Sequence, residues 1–470
     1  MIPETIKTTI DFQFVDLPEP EIPASFPKIP KGEYEQRLVK VRQLMDQSDL
    51  SHVVVYGDRE HFANIRFLTG YDPRFEETLL IISKNGKPIL LVGNEGLGYS
   101  KIVQPDVDIV LYQHFSLQGQ PRNKSPKLID ILRGAGIDKD SSIGVVGNKY
   151  MESDEFGDPR YVSDAPSYII DLIRRLCGAS RVADVTSWFT HPTMGLRIPL
   201  SIDEIALYEA AGQVVYAGVK SALDFLKPGV TEAQMAAQLK YDGSIPLTCH
   251  ICIGFGENAA LGLSSPTDRP LRKGDFISMG FGVWGANIAR AGIALSNPDE
   301  LPTAIQDAVD KVYKPYFWAM RNWYRTLKIG VTGGEIYDSM HEFAEDSFYG
   351  VTLNPGHEIR DEEWINSPIA SGSQLALPAQ AMLQSDIIVN ANPPYSGIHT
   401  EDGLVLADRN TREQLKVRYP DAWRRIQRRR ALMTEKLGYI IHEDVLPLSD
   451  MQGMVTPFLL NPRLALGFVK

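Results

Sequence analysis

The residues best suited to chemistry lie late in the chain. His357 follows Pro355-Gly356 in Leu353-Asn354-Pro355-Gly356-His357-Glu358-Ile359, so a turn, not a helical face, sets its direction. Two strand-like stretches come next, residues 387–395 (IIVNANPPY) and 397–408 (GIHTEDGLVLAD). Paired as a hairpin, they bring Asn390, Asn392, His399 and Glu401 near one another. An imidazole, with an ordinary pKa of about 6.5, beside a carboxylate is equipped to carry a proton at neutral pH.

Two further patterns carry less. Cys249-His250-Ile251-Cys252 spells C-x-x-C, but inside a strand pattern residues 249 and 252 point to opposite faces. That argues against a redox pair, and no second C-x-x-C completes a zinc site. The cysteines read as small apolar strand residues. His250 and Cys252 share one face, whose direction the sequence leaves open. Gly280-Phe281-Gly282-Val283-Trp284-Gly285 spells G-x-G-x-x-G, but a dinucleotide fold needs a helix opening at the third glycine. The continuation ANIARAGIALSNP reads as a hairpin strand instead.

The framework that must hold these residues begins after an arm, residues 1–32, where Pro3, Pro18, Pro20, Pro23, Pro27 and Pro30 forbid regular helix. The arm is either loose or laid across a surface, that of a partner subunit included. An α/β domain follows over residues 33–192. Its helix EYEQRLVKVRQLMDQSDL precedes strands HVVVYG, TLLIIS, PILLVG, IDIVLY and SSIGVVG, and KNGK supplies a hairpin turn. A boundary falls near MGLRIPLS. Residues 193–408 then read helix, K-x-G-V-T, helix, strands, twice over: once around Lys227-Pro228-Gly229-Val230-Thr231, once around Lys328-Ile329-Gly330-Val331-Thr332. Residues 409–470 form a C-terminal extension. Its helix carries Arg424, Arg425, Arg428, Arg429 and Arg430, a stripe expected on a solvated or intersubunit face.

Composition narrows the class. The chain has 470 residues, with 48 Lys and Arg against 59 Asp and Glu, a net charge of −11 that repels phosphate backbones; no nucleic-acid partner is expected. No run nears the roughly 18 apolar residues of a membrane span, so no membrane partner is expected. Three cysteines and no evident signal peptide point to a cytoplasmic protein.

Together the segments resemble the creatinase/aminopeptidase P/methionine aminopeptidase superfamily, over about residues 33–408. Arg66-Phe67-Leu68-Thr69-Gly70-Tyr71 is similar to its N-terminal R-Y-L-T-G-F. Leu196-Arg197 with Asp203-Glu204-Ile205, then Pro228-Gly229-Val230-Thr231-Glu232, resemble the opening of its catalytic domain. Ser265-Pro266-Thr267-Asp268-Arg269 and Lys273-Gly274-Asp275 resemble the stretch before its first metal-binding strand. The resemblance implies an α+β chain: a creatinase-type α/β domain followed by a pita-bread domain with internal pseudo-duplication, assembled as a homodimer.

The site departs from the family pattern. Family peptidases hold two divalent metals with two Asp, one His and two Glu. Here Gly280 stands for the first Asp and Asn287, in Ala286-Asn287-Ile288-Ala289-Arg290-Ala291, for the second. His357 and Glu401 are kept, while Asn392 of Asn390-Ala391-Asn392-Pro393-Pro394 takes the place of the other Glu. Positions expected for two further family histidines fall at Leu263 and near Trp364. With three of four carboxylates lost, no metal and no cofactor are expected, because dications want anionic oxygen or imidazole. The resulting expectation is a metal-independent, creatinase-like hydrolase cleaving a C–N bond of a small polar nitrogen compound. His357 is its acid and base, with Glu401; Asn287, Asn392, Arg290, His250 and His399 bind the substrate. The alternatives are a metal-dependent lyase, an Xaa-Pro peptidase-like enzyme, and a non-enzymatic binding protein.

Overall fold

A computed structural model describes residues 4–469. The chain divides into two compact units, Ile29–Ile198 and Met1–Lys28 with Pro199–Lys470.

In the first unit, a six-stranded sheet runs in the order Asp108–Leu111, Ile89–Val92, Thr78–Ser83, His52–Gly57, Ile143–Val146, Val182–Asp184. The strand HVVVYG is buried on both faces, which is why it reads as a continuous β-branched run instead of an alternating one. Val53 and Val55 pack beneath Leu38, Val41 and Met45 of the helix Lys31–Gln47. Val54 and Tyr56 face Ile169, Ile170 and Ile173 of the helix Ser167–Cys177. That helix stops at Gly178.

The second unit is built around a curled, antiparallel eight-stranded sheet. Its main path runs His357–Glu358, Met382–Gln384, Ile398–Leu406, Ala286–Ile293, Phe276–Val283, Cys252–Phe255. The long strand Ile398–Leu406 takes two partners in turn, Ile387–Val389 along its first half and Met382–Gln384 along its second. The sheet packs on the 24-residue helix Ile202–Phe225, whose start is fixed by a capping box between Ser201 and Glu204. The internal repeat is physical. Thr231 caps Glu232–Ala237 with Gln234, and Thr332 caps Gly333–Asp338 with Glu335 in the same way. Each threonine also bridges a distant chain segment, Thr231 to Pro270 and Thr332 to Ala376. The G-x-G-x-x-G run lies in the hairpin of Phe276–Val283 with Ala286–Ile293, and no helix opens at Gly285.

Two sequence expectations change here. The arm is not wholly irregular: a short helix occupies Glu4–Lys7, and Ile10–Phe14 pairs antiparallel with Leu464–Phe468. Nor is the arginine stripe solvated throughout. Arg425 and Arg429 are buried against Glu209, and Arg429 also reaches Asp450 at 3.1 Å. Arg424 and Arg428 clasp Glu21 of the arm. Buried charge is tolerated only when paired, and the −11 chain supplies the acids. Among the described residues, no helix is long and apolar enough to cross a membrane.

Candidate active site

The hairpin register decides which side chains meet. Asn287 lies opposite Gly282 and Ala289 opposite Gly280; on the other side, Ala289 lies opposite Glu401 and Ala291 opposite His399. Strand alternation therefore puts Gly280, Asn287, Ala289, His399 and Glu401 on one face, lining a cavity of about 460 Å³. Residues one step out of phase face the other way. Arg290, expected at the substrate, is buried on that opposite face, where its Nη2 donates to both carboxylate oxygens of Asp402 at 2.9 Å. Its role is to hold the sheet together.

His357 enters from a short strand, with its direction set by the turn before it. Trp323 Nε1 donates to the Pro355 carbonyl at 2.7 Å. Gly356 has φ +115°, and a Cβ there would lie 2.8 Å from the Gln384 carbonyl oxygen, so the turn requires glycine. The imidazole Nδ1 bonds the Glu358 carbonyl at 3.2 Å. Its Nε2 is buried, makes no hydrogen bond, and stands 3.6 Å from Glu401 Oε1 and 3.8 Å from Asp386 Oδ2.

Asp386 changes the ligand count. The sequence reading placed a vacated glutamate position at Asn392. The structure puts Asn392 exposed in the turn beyond Ile387–Val389, its backbone N–H bonded to the Phe348 carbonyl. The acid comes from the residue just before that strand. His399 is held by Asp386, Nε2 to Oδ1 at 2.6 Å. His250 stands at the exposed mouth, its Nε2 2.9 Å from the Leu263 carbonyl oxygen.

Glu363 is a second acid that sequence reasoning missed, although it adjoins Trp364, where a family histidine was sought. Asn287 Nδ2 donates to Glu363 Oε1 at 2.8 Å and to Glu401 Oε1 at 3.2 Å. Burial, then the Glu401 charge, pushes the Glu363 carboxyl up to about 7. Burial disfavours a charged His357, yet Glu401 and then Asp386 outweigh it and raise the imidazole to about 9. Burial also opposes ionisation of Asp386, but His399 holds its carboxyl below the ordinary value. Cys249 and Cys252 both line the cavity, contrary to the opposite-face expectation, because Cys249 lies in a bend before the strand Cys252–Phe255 begins. Burial pushes the Cys252 thiol up to about 11 and Cys249 well above its ordinary value, so both remain thiols at neutral pH.

His357, Asp386 and Glu401 offer ligand atoms all within 4.8 Å of one another. One imidazole nitrogen free of hydrogen bonds and two carboxylates fit one divalent cation. A second does not fit. Gly280 offers no donor, and Asn287 turns its amide N–H groups, not its oxygen, toward Glu363 and Glu401.

Residues 37–155 match the creatinase/prolidase N-terminal domain model, and residues 206–406 match metallopeptidase family M24. A Bacillus subtilis protein named as the uncharacterized peptidase YqhT is 22% identical over 232 residues, covering 46% of this chain and 62% of that protein. A Staphylococcus saprophyticus protein, named as the uncharacterized peptidase SSP1059, is 25% identical over 45% of this chain and 61% of its own length. The matches thus span about three-fifths of these relatives' lengths. Among solved structures, a prolidase from Pyrococcus horikoshii is similar over 79% of this chain and 95% of its own, with TM-score 0.61 and 16% identity. An X-Pro aminopeptidase from Thermotoga maritima gives the same coverages and TM-score at 17% identity. These likenesses show the fold. With its two domains matched in order, the chain carries a creatinase/prolidase N-terminal domain followed by a metallopeptidase family M24 domain.

Proposed function

We propose that this protein hydrolyses an amide C–N bond of a small substrate through a single divalent cation held by His357, Asp386 and Glu401. The observation that carries the reading is the buried His357 Nε2, which makes no hydrogen bond and faces two carboxylates at 3.6 and 3.8 Å. The metal-independent reading rested on a cavity stripped of acids, and Asp386 and Glu363 remove that premise.

The chemistry such a cation supplies is Lewis-acid polarisation of a carbonyl oxygen. The remaining work belongs to side chains. His399 fixes Asp386, leaving Oδ2 to face His357. Asn287 ties Glu363 to Glu401 and so orients both. Glu363, which lines the cavity beside Glu401 without belonging to the cation cluster, takes the proton from an attacking water and returns it to the leaving nitrogen. His357 is unsuited to that role, since its Nε2 is taken up in holding the cation. Names of the relatives and the fold support hydrolysis of peptide-like bonds.

Elemental analysis and calorimetric titration with Mn²⁺, Zn²⁺ and Fe²⁺ test the reading. One cation per chain, with amidase activity that chelation abolishes, is expected. Two bound ions, or full activity in the presence of excess chelator, would overturn it.

A further inference from the structure

We infer that this cavity takes substrates whose cleaved end carries no free carboxylate: neutral or cationic amides bearing an apolar group. The inference rests on the hydrolase reading for the identity of the site and concerns what that site admits.

The charge balance is one-sided. The main cavity of about 460 Å³ is lined by the acids Glu363, Asp386 and Glu401, and among the described residues no lysine or arginine lines it. A side recess of about 280 Å³, reached past Leu353, Trp364 and Asp386, has no lysine or arginine either. Arg290, the arginine on the hairpin that floors the cavity, faces away and is bound to Asp402. The histidines do not substitute. His357 Nε2 faces Asp386 and Glu401, His399 is engaged with Asp386, and the His250 ring nitrogen Nε2 is engaged with the Leu263 carbonyl. With the cation bound, the three carboxylates face only its two positive charges. A second anion brought into that space finds no fixed partner, and an unpaired charge in a desolvated site is expensive. The net charge of −11 adds a long-range field of the same sign.

The walls complement this. Leu261, Leu263, Leu353 and Trp364 line the cavity while 72%, 74%, 46% and 66% exposed. Large apolar side chains gathered at a cavity mouth mark a binding surface for apolar groups. At the floor, a Cβ added to Gly280 would meet only Ala289 and Cys252 Cβ atoms, at 3.8 and 3.9 Å. The place where a ligand side chain is missing is therefore open and weakly polar. Exclusion of the carboxylate is a specificity element made by repulsion, and the apolar lip is the attractive one.

Calorimetric binding of leucyl-alaninamide and leucyl-alanine to the full chain, in the presence of one equivalent of Mn²⁺, tests this, because the two differ only at the terminal carboxylate. The amide is expected to bind at least about ten-fold tighter. Leu263→Arg, at an exposed lip position, is expected to narrow the difference to about three-fold or less by strengthening dipeptide binding. Equal or tighter binding of leucyl-alanine, no binding of either compound, or no response to Leu263→Arg would each overturn the inference. Amide binding without cleavage would leave it standing and count against the hydrolase reading instead.

Discussion

His399 Nε2 meets Asp386 Oδ1 at 2.6 Å, and the other carboxylate oxygen of the same aspartate faces His357 Nε2 at 3.8 Å. One acid thus links two imidazoles, and in the proposed site one supports it while the other shares the cation with it. Such supporting hydrogen bonds fix the orientation of a ligand and tune its affinity. Asp386→Asn is expected to abolish stoichiometric cation binding by calorimetry, and His399→Gln to weaken it about 10–100-fold. Asn392→Ala, in the exposed turn, is expected to change neither binding nor activity. Loss of cation binding in Asn392→Ala with retention in Asp386→Asn would restore the register read from the sequence.

Glu363 sits in the cavity but outside the cation cluster, tied to Asn287 at 2.8 Å. Glu363→Gln preserves shape and removes the proton acceptor. Steady-state kinetics should show kcat reduced by about 10²-fold or more, with cation affinity and KM little changed. Unchanged kcat would remove Glu363 from the mechanism.

Arg290 and Asp402 are 1% and 0% exposed and paired at 2.9 Å on the face away from the cavity. Arg290→Met leaves a buried carboxylate without its main partner, which costs about 3–5 kcal/mol in urea unfolding. Pairing it with Asp402→Leu should recover most of the loss, since replacing both members of a buried pair is far milder than removing one. A stability unchanged in Arg290→Met would contradict the structural role.

The arm is held by charge. Hydrogen bonds and charge from Arg424 and Arg428 outweigh the cost of burial and lower the Glu21 carboxyl from 4.5 to about 2. A carboxyl depressed in the folded state stabilises fully above its unfolded value, and that contribution is lost as pH falls from about 4.5 toward 2. Because Glu21 is about one-third exposed, the contribution is only about 1 kcal/mol after solvent screening. Unfolding between pH 5 and 2.5 should therefore be steeper for the wild type than for Glu21→Gln. Parallel curves would show that the arm is anchored by Ile10–Phe14 and its strand partner alone.

Much of the molecule was legible in the sequence because its signals are local. The Val-rich strand, the Asn-Gly turn, the glycine stop after Cys177 and the two K-x-G-V-T caps each act within a few residues, and each forms as read. The Pro-Gly turn likewise delivers His357, and strand alternation delivers His399 with Glu401. Alternation alone would also have placed Arg290 opposite Asn287. Tertiary structure decided what depends on the register between segments far apart in the chain. The pairing of Ile387–Val389 with Ile398–Leu406 leaves Asp386 at the cavity and Asn392 in the exposed turn beyond. Glu363 arrives from a loop without periodicity, and Cys249 from a bend that breaks the strand pattern. The number of acids facing one another is set only once the curled sheet has closed around them, because they come from segments far apart in the chain.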